Sequence, residues 1–354
     1  IHYTPGIPFP ALEAVKTSFP GFTTGALFAS YGSQVTVLHS DATNASPGKK
    51  FIEESGFFFC NPEFFKVFDF KNTDFKWISG NPEKALVDPM SVVLTKTLAK
   101  KYFGDQDPIG KTIQFQRKFD FKVTGIVSDF PQNTRFPFTI LMSYSSLKVL
   151  AGEERLNNWF SVNDTHNTYI VLQPGTTPED MENEIAKVHA AHTPKELHES
   201  RHYLLQKFSD IHYDARFRNF SGRTISRETV MALGIVAAFL LLTGSINYIN
   251  LSTAQSSLRA KEIGLRKVMG SNRKNLVIQF LTETFIVVTI AAVMGLVVSE
   301  ILLINLESLL NFKHLQYNFS DPFMLLSLLG VVVVVTLFSG SYPSLTISRF
   351  NPLT

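Results

Sequence analysis

"TVMALGIVAAFLLLTGSINYINLSTAQSSL", Thr229 to Leu258, contains no Asp, Glu, Lys or Arg. A helix of about 20 apolar residues crosses a hydrocarbon core about 30 Å thick, and this run exceeds that length. Further on, Pro322 to Ser348 is again free of charge. Between the two, Thr284 to Ser299 is an uncharged apolar run bounded by Glu283 and Glu300. Extended to Leu276–Leu306, it also becomes long enough to span, with both carboxylates included. Those carboxylates are separated by about 25 Å along a helix, so each can sit near an opposite interface. A relay role is the alternative, since acids inside spans are usually functional; interface placement is the simpler reading. Three transmembrane helices are expected, over about 229–258, 276–306 and 322–347.

The residues before them differ in character. The 354-residue chain has a mean hydropathy of +0.08, an average over two unlike parts. Residues 1–227 are polar, charged throughout and rich in Phe, whereas 228–354 are mostly apolar. "VTVLH" and "FKVTGIVSDF" have the β-branched and aromatic content of strands. "TYIVLQPGTTPEDMENEIAKVHAAH" reads as a strand, a Pro-Gly turn and a helix. Thr177 is its expected cap and Pro178 its first residue, with Ile185 and Val188 on the apolar face. The fold class expected is an α+β extracytoplasmic domain followed by an all-α membrane domain of three transmembrane helices. Phe-rich stretches such as "FFFCNPEFFKVFDF" and "FPFTI" are read as core.

Charge asymmetry orients the spans. Arg259 to Lys274, "RAKEIGLRKVMGSNRK", carries six Lys/Arg against Glu262, whereas the loop from Asn305 to Pro322 has only Lys313 as Lys or Arg. The positive-inside rule places the first loop in the cytoplasm and residues 1–227 outside. The net charge of +3 therefore needs no nucleic acid to explain it. The lone cysteine, Cys60, cannot form an internal disulfide, so an exported domain must rely on its core. The chain opens on Ile without an apolar leader, and a preceding signal or membrane helix is expected.

Two motifs invite enzymatic readings. "YFGDQDPIGKT", Tyr102 to Thr112, ends like a phosphate-binding loop but has five residues between Gly104 and Gly110 where four are needed. Asp105 and Asp107 would repel phosphate, and Pro108 has no N–H to offer. "SVVLTKTLAKKYF" before it reads as a strand, a Thr95 cap and a helix, and "TIQFQ" after it as a strand, so a helix-to-strand turn is expected. "HESRH", His198 to His202, matches the His-Glu-x-x-His of zinc proteases, with Glu199 as base. Its extended form fails at Leu205 and Phe208, and the helix begun at Pro194 should give way to a strand-like run in "RHYLLQKF". His189 and His192 are expected on a solvated helix face, where adventitious metal binding is the alternative.

The connector between the first two spans carries more information. A helix rich in Ser, Thr, Ala and Gln, suited to close packing, continues into a short basic helix interrupted at Gly264 and ended at Gly270. Ser271 can cap the next helix. A plain lipid-facing anchor needs only charges. Ile263, Leu265, Val268 and Met269 among those charges describe instead a docking surface.

This segment resembles the MacB/FtsX-type ABC transporter permeases, whose connector follows R-x-K-E-I/V-G-x-R-K-x-x-G-A/S-x-R. Arg259, Lys261, Glu262, Ile263, Gly264, Arg266, Lys267, Gly270 and Arg273 fall on that pattern. "NPEFFKVFDF", "SVVLTKTLAKKYFGDQDPIGKTI", "VTGIVSDFPQNTRFPF" and "LLQKFSDIHY" resemble the family's extracytoplasmic core domain, and "GSYPSLTISRFNP" the end of its last span. The family has a further span before that domain, and larger members repeat the whole unit.

The resemblance implies a permease subunit of the bacterial cytoplasmic membrane that is not itself an ATPase. A separate cytoplasmic ABC ATPase holding ATP and Mg would dock on the 259–275 loop. Ile263, Leu265 and Val268 would be apolar anchors there, with Arg266 and Arg273 as charged partners. A second permease unit, as homodimer or tandem repeat, is implied as well. Export of peptides, drugs or lipoproteins by mechanotransmission is the function implied; a non-transporting signalling unit is the alternative, and a membrane-anchored zinc protease a remote one.

Overall fold

The computed structural model describes residues 3–19, 22–38, 48–68, 70, 75–130, 134, 136–214, 216–217, 224–258, 264–265, 269, 271–310, 317 and 319–349. Two compact units divide the chain, Ile1–Ser226 and Arg227–Thr354. In the outer unit, α1 (Phe9–Ser18) precedes β1 (Thr23–Ala29), β2 (Ser33–Val37), β3 (Lys49–Glu53) and β4 (Phe57–Cys60). The short α2 (Phe64–Val67) leads to β5 (Trp77–Ser79) and β6 (Ser91–Thr95), then α3 (Lys96–Phe103), β7 (Thr112–Phe115), β8 (Phe119–Val127) and β9 (Ile140–Ser143). The helical turns α4 (Leu147–Ala151) and α5 (Glu153–Leu156) precede β10 (His166–Val171), α6 (Pro178–His192) and α7 (Lys195–Ser200).

The strands form one mixed sheet in the order β10-β1-β4-β9-β6-β8-β7-β2-β3, with β5 added against β8. The pairs β4–β9 and β6–β8 are parallel, and the other pairs antiparallel. The central strands β4, β6 and β9 are buried along their whole length, so they lack the alternation of a half-exposed strand. Their residues sort by parity instead. Phe57, Phe59, Val92, Leu94, Ile140 and Met142 enter one core, while Phe58, Cys60, Val93 and Leu141 enter the other. Successive side chains of a strand point to opposite faces, and here both faces are filled. Phe64, Phe136 and Phe138 complete the second core, so the Phe-rich stretches are core material.

Helix α6 opens with a reciprocal cap. The Asp180 amide donates to Thr177 Oγ1 at 3.2 Å and the Thr177 amide to Asp180 Oδ2 at 2.9 Å, with Pro178 at the first position. The Thr177 hydroxyl, donating to Asp180 Oδ2 at 2.7 Å, and then the Thr177 amide hold the Asp180 carboxyl below its usual range. Thr95 does not cap α3 as expected. It occupies the cap position without a side-chain bond and is buried. Asp129, from beyond β8, takes over: Thr97 N–H donates to its Oδ1 at 3.2 Å and the Thr97 hydroxyl to its Oδ2 at 2.8 Å.

His166 ties the start of the chain to the sheet. It is completely buried and stacks on Phe9 at 4.2 Å between ring centroids. Nδ1 lies 3.0 Å from the Ile7 carbonyl oxygen, which can only accept, so Nδ1 carries the proton. Nε2 therefore accepts from the Tyr144 hydroxyl at 2.7 Å. Burial lowers the imidazole pKa from 6.5 to about 4, with the Ile7 carbonyl opposing, and burial pushes the Tyr144 phenol up.

The membrane unit consists of α8 (Arg227–Leu258), α9 (Arg273–Leu310) and α10 (Pro322–Arg349). Each contains a segment long and apolar enough to cross a bilayer: Arg227–Gln255, Arg273–Leu306 and Pro322–Thr346. Phe239 on α8, Met294 on α9 and Leu326 on α10 are exposed, as lipid-facing residues would be. Among the described residues, most buried positions are small or hydroxylated instead, Ser245, Thr284, Thr336, Ser339 and Ser344, beside the apolar Leu276 and Val332. Tyr248 on α8 donates from its hydroxyl to Thr284 Oγ1 on α9 at 3.1 Å, and Thr284 donates to the Phe280 carbonyl at 2.9 Å. Gly340 allows α10 to approach α9. A Cβ there would stand 2.9 Å from Leu281 Cδ2 and 3.0 Å from Thr284 Oγ1. Without a hydrophobic force between helices in lipid, such close packing and hydroxyl bonds hold the seam.

Two outcomes are expected. His166 must take up a proton when the outer unit unfolds in acid, so its contribution is present above about pH 6.5 and is lost as pH falls towards about 4, by about 3 kcal/mol in all. Both tryptophans, Trp77 and Trp159, lie in the outer unit, so urea unfolding read by tryptophan fluorescence isolates this effect. His166→Asn should flatten the curve in that window; an unchanged slope would contradict the assignment. In the membrane unit, Gly340→Ile should cost about 1–3 kcal/mol through overpacking and lower the thermal midpoint in detergent. Gly330→Ile, where an added Cβ meets nothing within 4 Å, should leave it nearly unchanged.

Candidate functional site

The connector between α8 and α9 is where the sequence places the docking surface. Gly264 and Leu265 lie in a helical turn that the Met269 amide continues by donating to the Leu265 carbonyl at 3.0 Å. Leu265 is 62% exposed and Met269 71%, so two large apolar side chains joined by that bond are exposed. Arg273 is the first residue of α9. The cap position is Asn272 and not Ser271, since the amides of Asn275 and Leu276 both donate to the Asn272 carbonyl, at 3.0 and 3.3 Å. Leu276, the first buried residue of α9, packs against Phe280 and anchors the turn. Arg259, Lys261, Glu262, Ile263, Arg266, Lys267, Val268 and Gly270 lie outside the described residues, as does Lys313 of the opposite loop.

The phosphate-loop reading fails on geometry as well as on spacing. Gly110 N–H donates to the Val123 carbonyl at 2.8 Å, and Lys111 N–H to Pro108 at 3.1 Å. The Ile109 amide is held by Asp107 Oδ1 at 3.0 Å. Amides that would cradle phosphate are thus spent inside the turn, which uses Gly104 and Gly110 at φ +65 and +80 and leads into β7.

The zinc-protease reading fails at the helix end. Helix α7 stops at Ser200 and Arg201 is extended at φ −111, ψ 125, so His198 and His202 do not share a helical face. The strand expected after it is absent among the described residues, since 201–207 adopt no regular structure. His189 is not solvated as expected; it is 1% exposed. It follows Met181, Ile185 and Val188 on the inward face of α6, eight residues after Met181, a spacing that was legible beforehand. His192 stacks on Trp159 at 4.2 Å and lies 2.8 Å through Nδ1 from the Val188 carbonyl, to which it donates. Arg201 and Tyr203, missed in the sequence, lie beside His189 and His198 around a cavity of about 410 Å³. Burial first, then the Arg201 charge, holds the His189 imidazole below its usual range.

Cys60 is buried between β4 and its neighbours. Burial and the Glu63 charge push its thiol up, which makes it unreactive.

Residues 2–188 match the model of the MacB-like periplasmic core domain, and residues 234–352 that of the FtsX-like permease C-terminal region. The chain is 26% identical over 278 residues to the macrolide export ATP-binding/permease protein MacB of Neisseria meningitidis serogroup A, covering 75% of this chain and 38% of that protein. It is 26% identical over 215 residues to the MacB of Aggregatibacter actinomycetemcomitans, covering 59% and 29%. The crystal structure of the periplasmic region of MacB from Actinobacillus actinomycetemcomitans is 17% identical, covering 59% of this chain and 82% of that one, with a TM-score of 0.37. The chain thus spans well under half the length of these curated relatives. The first matched region lies within the outer unit and the second takes in most of the three apolar helices, in that order. The chain belongs to the MacB/FtsX-type permeases, as an ABC transporter permease component that crosses the bacterial inner membrane several times and carries a periplasmic domain.

Proposed function

We propose that this permease couples ATP hydrolysis in a separate cytoplasmic ATPase subunit to a conformational change of its periplasmic domain, and so drives export by mechanotransmission. The observation that carries the reading is the order of the matched domains, a MacB-like core followed by an FtsX-like membrane region. The relatives named as macrolide exporters favour expulsion of a drug, peptide or lipoprotein from the periplasmic side. ATP and Mg belong to the ATPase, and no catalytic residue is assigned to this chain.

The 259–275 connector is the proposed docking element. Leu265 and Met269 present an exposed apolar pair on one turn, and Ile263 and Val268 would extend it. Arg266 and Arg273 would engage acidic groups of the ATPase. The helix seam at Tyr248, Thr284 and Gly340 makes the spans a packed unit that can transmit displacement. Two permease units would pair, by dimerisation or by tandem repeat. A signalling role without transport is the second reading, favoured by the outward-pointing large side chains of the three described spans.

Affinity purification of the full-length protein from its own membranes tests the docking element. The wild type should retain an ATPase subunit. Leu265→Asp with Val268→Asp should lose it, with co-purification reduced about tenfold or more, since burying unpaired charge in an interface costs several kcal/mol. Retention by the double variant would remove the connector from the interface.

A further inference from the structure

The cavity between α6 and α7 has a lining that the permease function does not use. Its polar side chains are Asn183, Lys187, His189, His198, Arg201 and Tyr203. Each can donate a hydrogen bond and none is a carboxylate. Among the described residues, His189 Nε2 and His198 Nδ1 are buried with no partner inside hydrogen-bond geometry, while the Tyr203 hydroxyl lies beside the Arg201 guanidinium. His189 is 1% exposed, so its Nε2 can meet an anion in the cavity only once the ring is protonated and that nitrogen becomes a donor.

The two cations retain donors. Arg201 gives Nη1 to the Trp159 carbonyl at 3.3 Å and Nη2 to that of Phe160 at 2.7 Å, which holds the guanidinium in place and leaves other N–H groups of its five. Lys187 pairs with Glu184 at 2.6 Å, leaving two ammonium hydrogens. Arg201, with a Lys187 that is shared with Glu184, in a lining that holds no carboxylate, makes a poor cation site and a favourable anion site. We propose that this cavity binds an oxyanion, a phosphate, sulfate or carboxylate group, with Arg201 and Lys187 supplying charge and His189, His198 and Tyr203 supplying hydrogen bonds.

The tautomer of His189 adds a signature. The Thr193 hydroxyl donates its single hydrogen to the His189 carbonyl at 2.7 Å. In its 3.3 Å contact with His189 Nδ1, the nitrogen must therefore be the donor. Neutral His189 then presents a lone pair at Nε2, which repels an oxyanion until it is protonated. Burial first, then Arg201 and His198, disfavour that proton; the Trp159 carbonyl favours it, and His192 opposes it least; Lys187 acts with its Glu184 partner. A bound anion reverses the balance, so binding takes up a proton and tightens as pH falls.

Isothermal titration of the full chain in detergent with sodium sulfate, against sodium chloride at matched ionic strength, tests the site. Sulfate keeps its charge from about pH 8 to about pH 6, so any pH effect belongs to the protein. One saturable site is expected, severalfold tighter at the lower pH. Arg201→Gln should weaken it about tenfold, the worth of a charged hydrogen bond. Lys187→Gln, at an exposed position, should weaken it less while leaving the fold intact, which keeps the test valid if the Arg201 change disturbs folding. Tighter binding of glycerol 3-phosphate than of acetylglycine would mark a phosphate headgroup as the source, and the reverse order a peptide carboxylate; either supports the site. Sulfate heats no different from chloride, or saturable binding unmoved by both substitutions, would overturn it.

Discussion

A bilayer core offers no water to a backbone N–H or C=O, so each chain segment inside it must satisfy its polar groups internally. The three uncharged runs of this chain meet that demand as helices, and the rest of the organisation depends on it. Once those runs are committed to the membrane, the basic connector after α8 is held on one side and the polar first unit on the other. The outer unit must then carry whatever acts outside, and the connector whatever engages the cytoplasm. Inside the membrane unit, hydrophobicity cannot decide which faces meet, because lipid is as apolar as leucine. The contact goes instead to hydroxyls and a glycine: Tyr248 to Thr284, and Gly340 against Leu281 and Thr284.

In the outer unit water is available and the logic reverses. Strands β4, β6 and β9 run through the middle of the sheet with both faces covered, by phenylalanines set among Val, Leu and Ile. Phe57 and Phe59 serve one core while Phe58 serves the other. With one cysteine, the domain has no disulfide to hold it, and this two-sided core stands in its place. His166 shows the cost of adding a polar group there: it is accommodated only with both ring nitrogens engaged and only while neutral.

Local features were legible in the sequence where a short spacing determined them. The Thr177–Asp180 cap, the start of α6 at Pro178 and the three apolar helices all rest on residues within a few positions of one another. Features that depend on distant partners were not. Thr95 has the composition of a cap, yet Asp129 serves α3 from 32 residues beyond Thr97. Ser271 and Asn272 are adjacent residues of equal capping ability, and only the backbone path selects Asn272. The strand order, with β1 between β10 and β4, leaves no trace in local periodicity. His198 was read with His202 by sequence spacing, whereas the end of α7 at Ser200 brings it to the same cavity as His189 instead. The burial of His189 itself was readable from its place on the apolar face of α6.

The most direct measurement follows the periplasmic domain while the ATPase works. Cys60 is buried with its thiol pushed up, so it should resist labelling, and Tyr31 is 90% exposed. With the proposed ATPase added to the reconstituted permease, a spin label on Tyr31→Cys reports, through electron–electron resonance, whether two outer domains pair as proposed and how far apart they lie. Transmission predicts different distance distributions with no nucleotide and with ATP held in a trapped state, and loss of that difference when Leu265 and Val268 are both Asp. An identical distribution in both nucleotide states, with the ATPase bound and turning over, would contradict it.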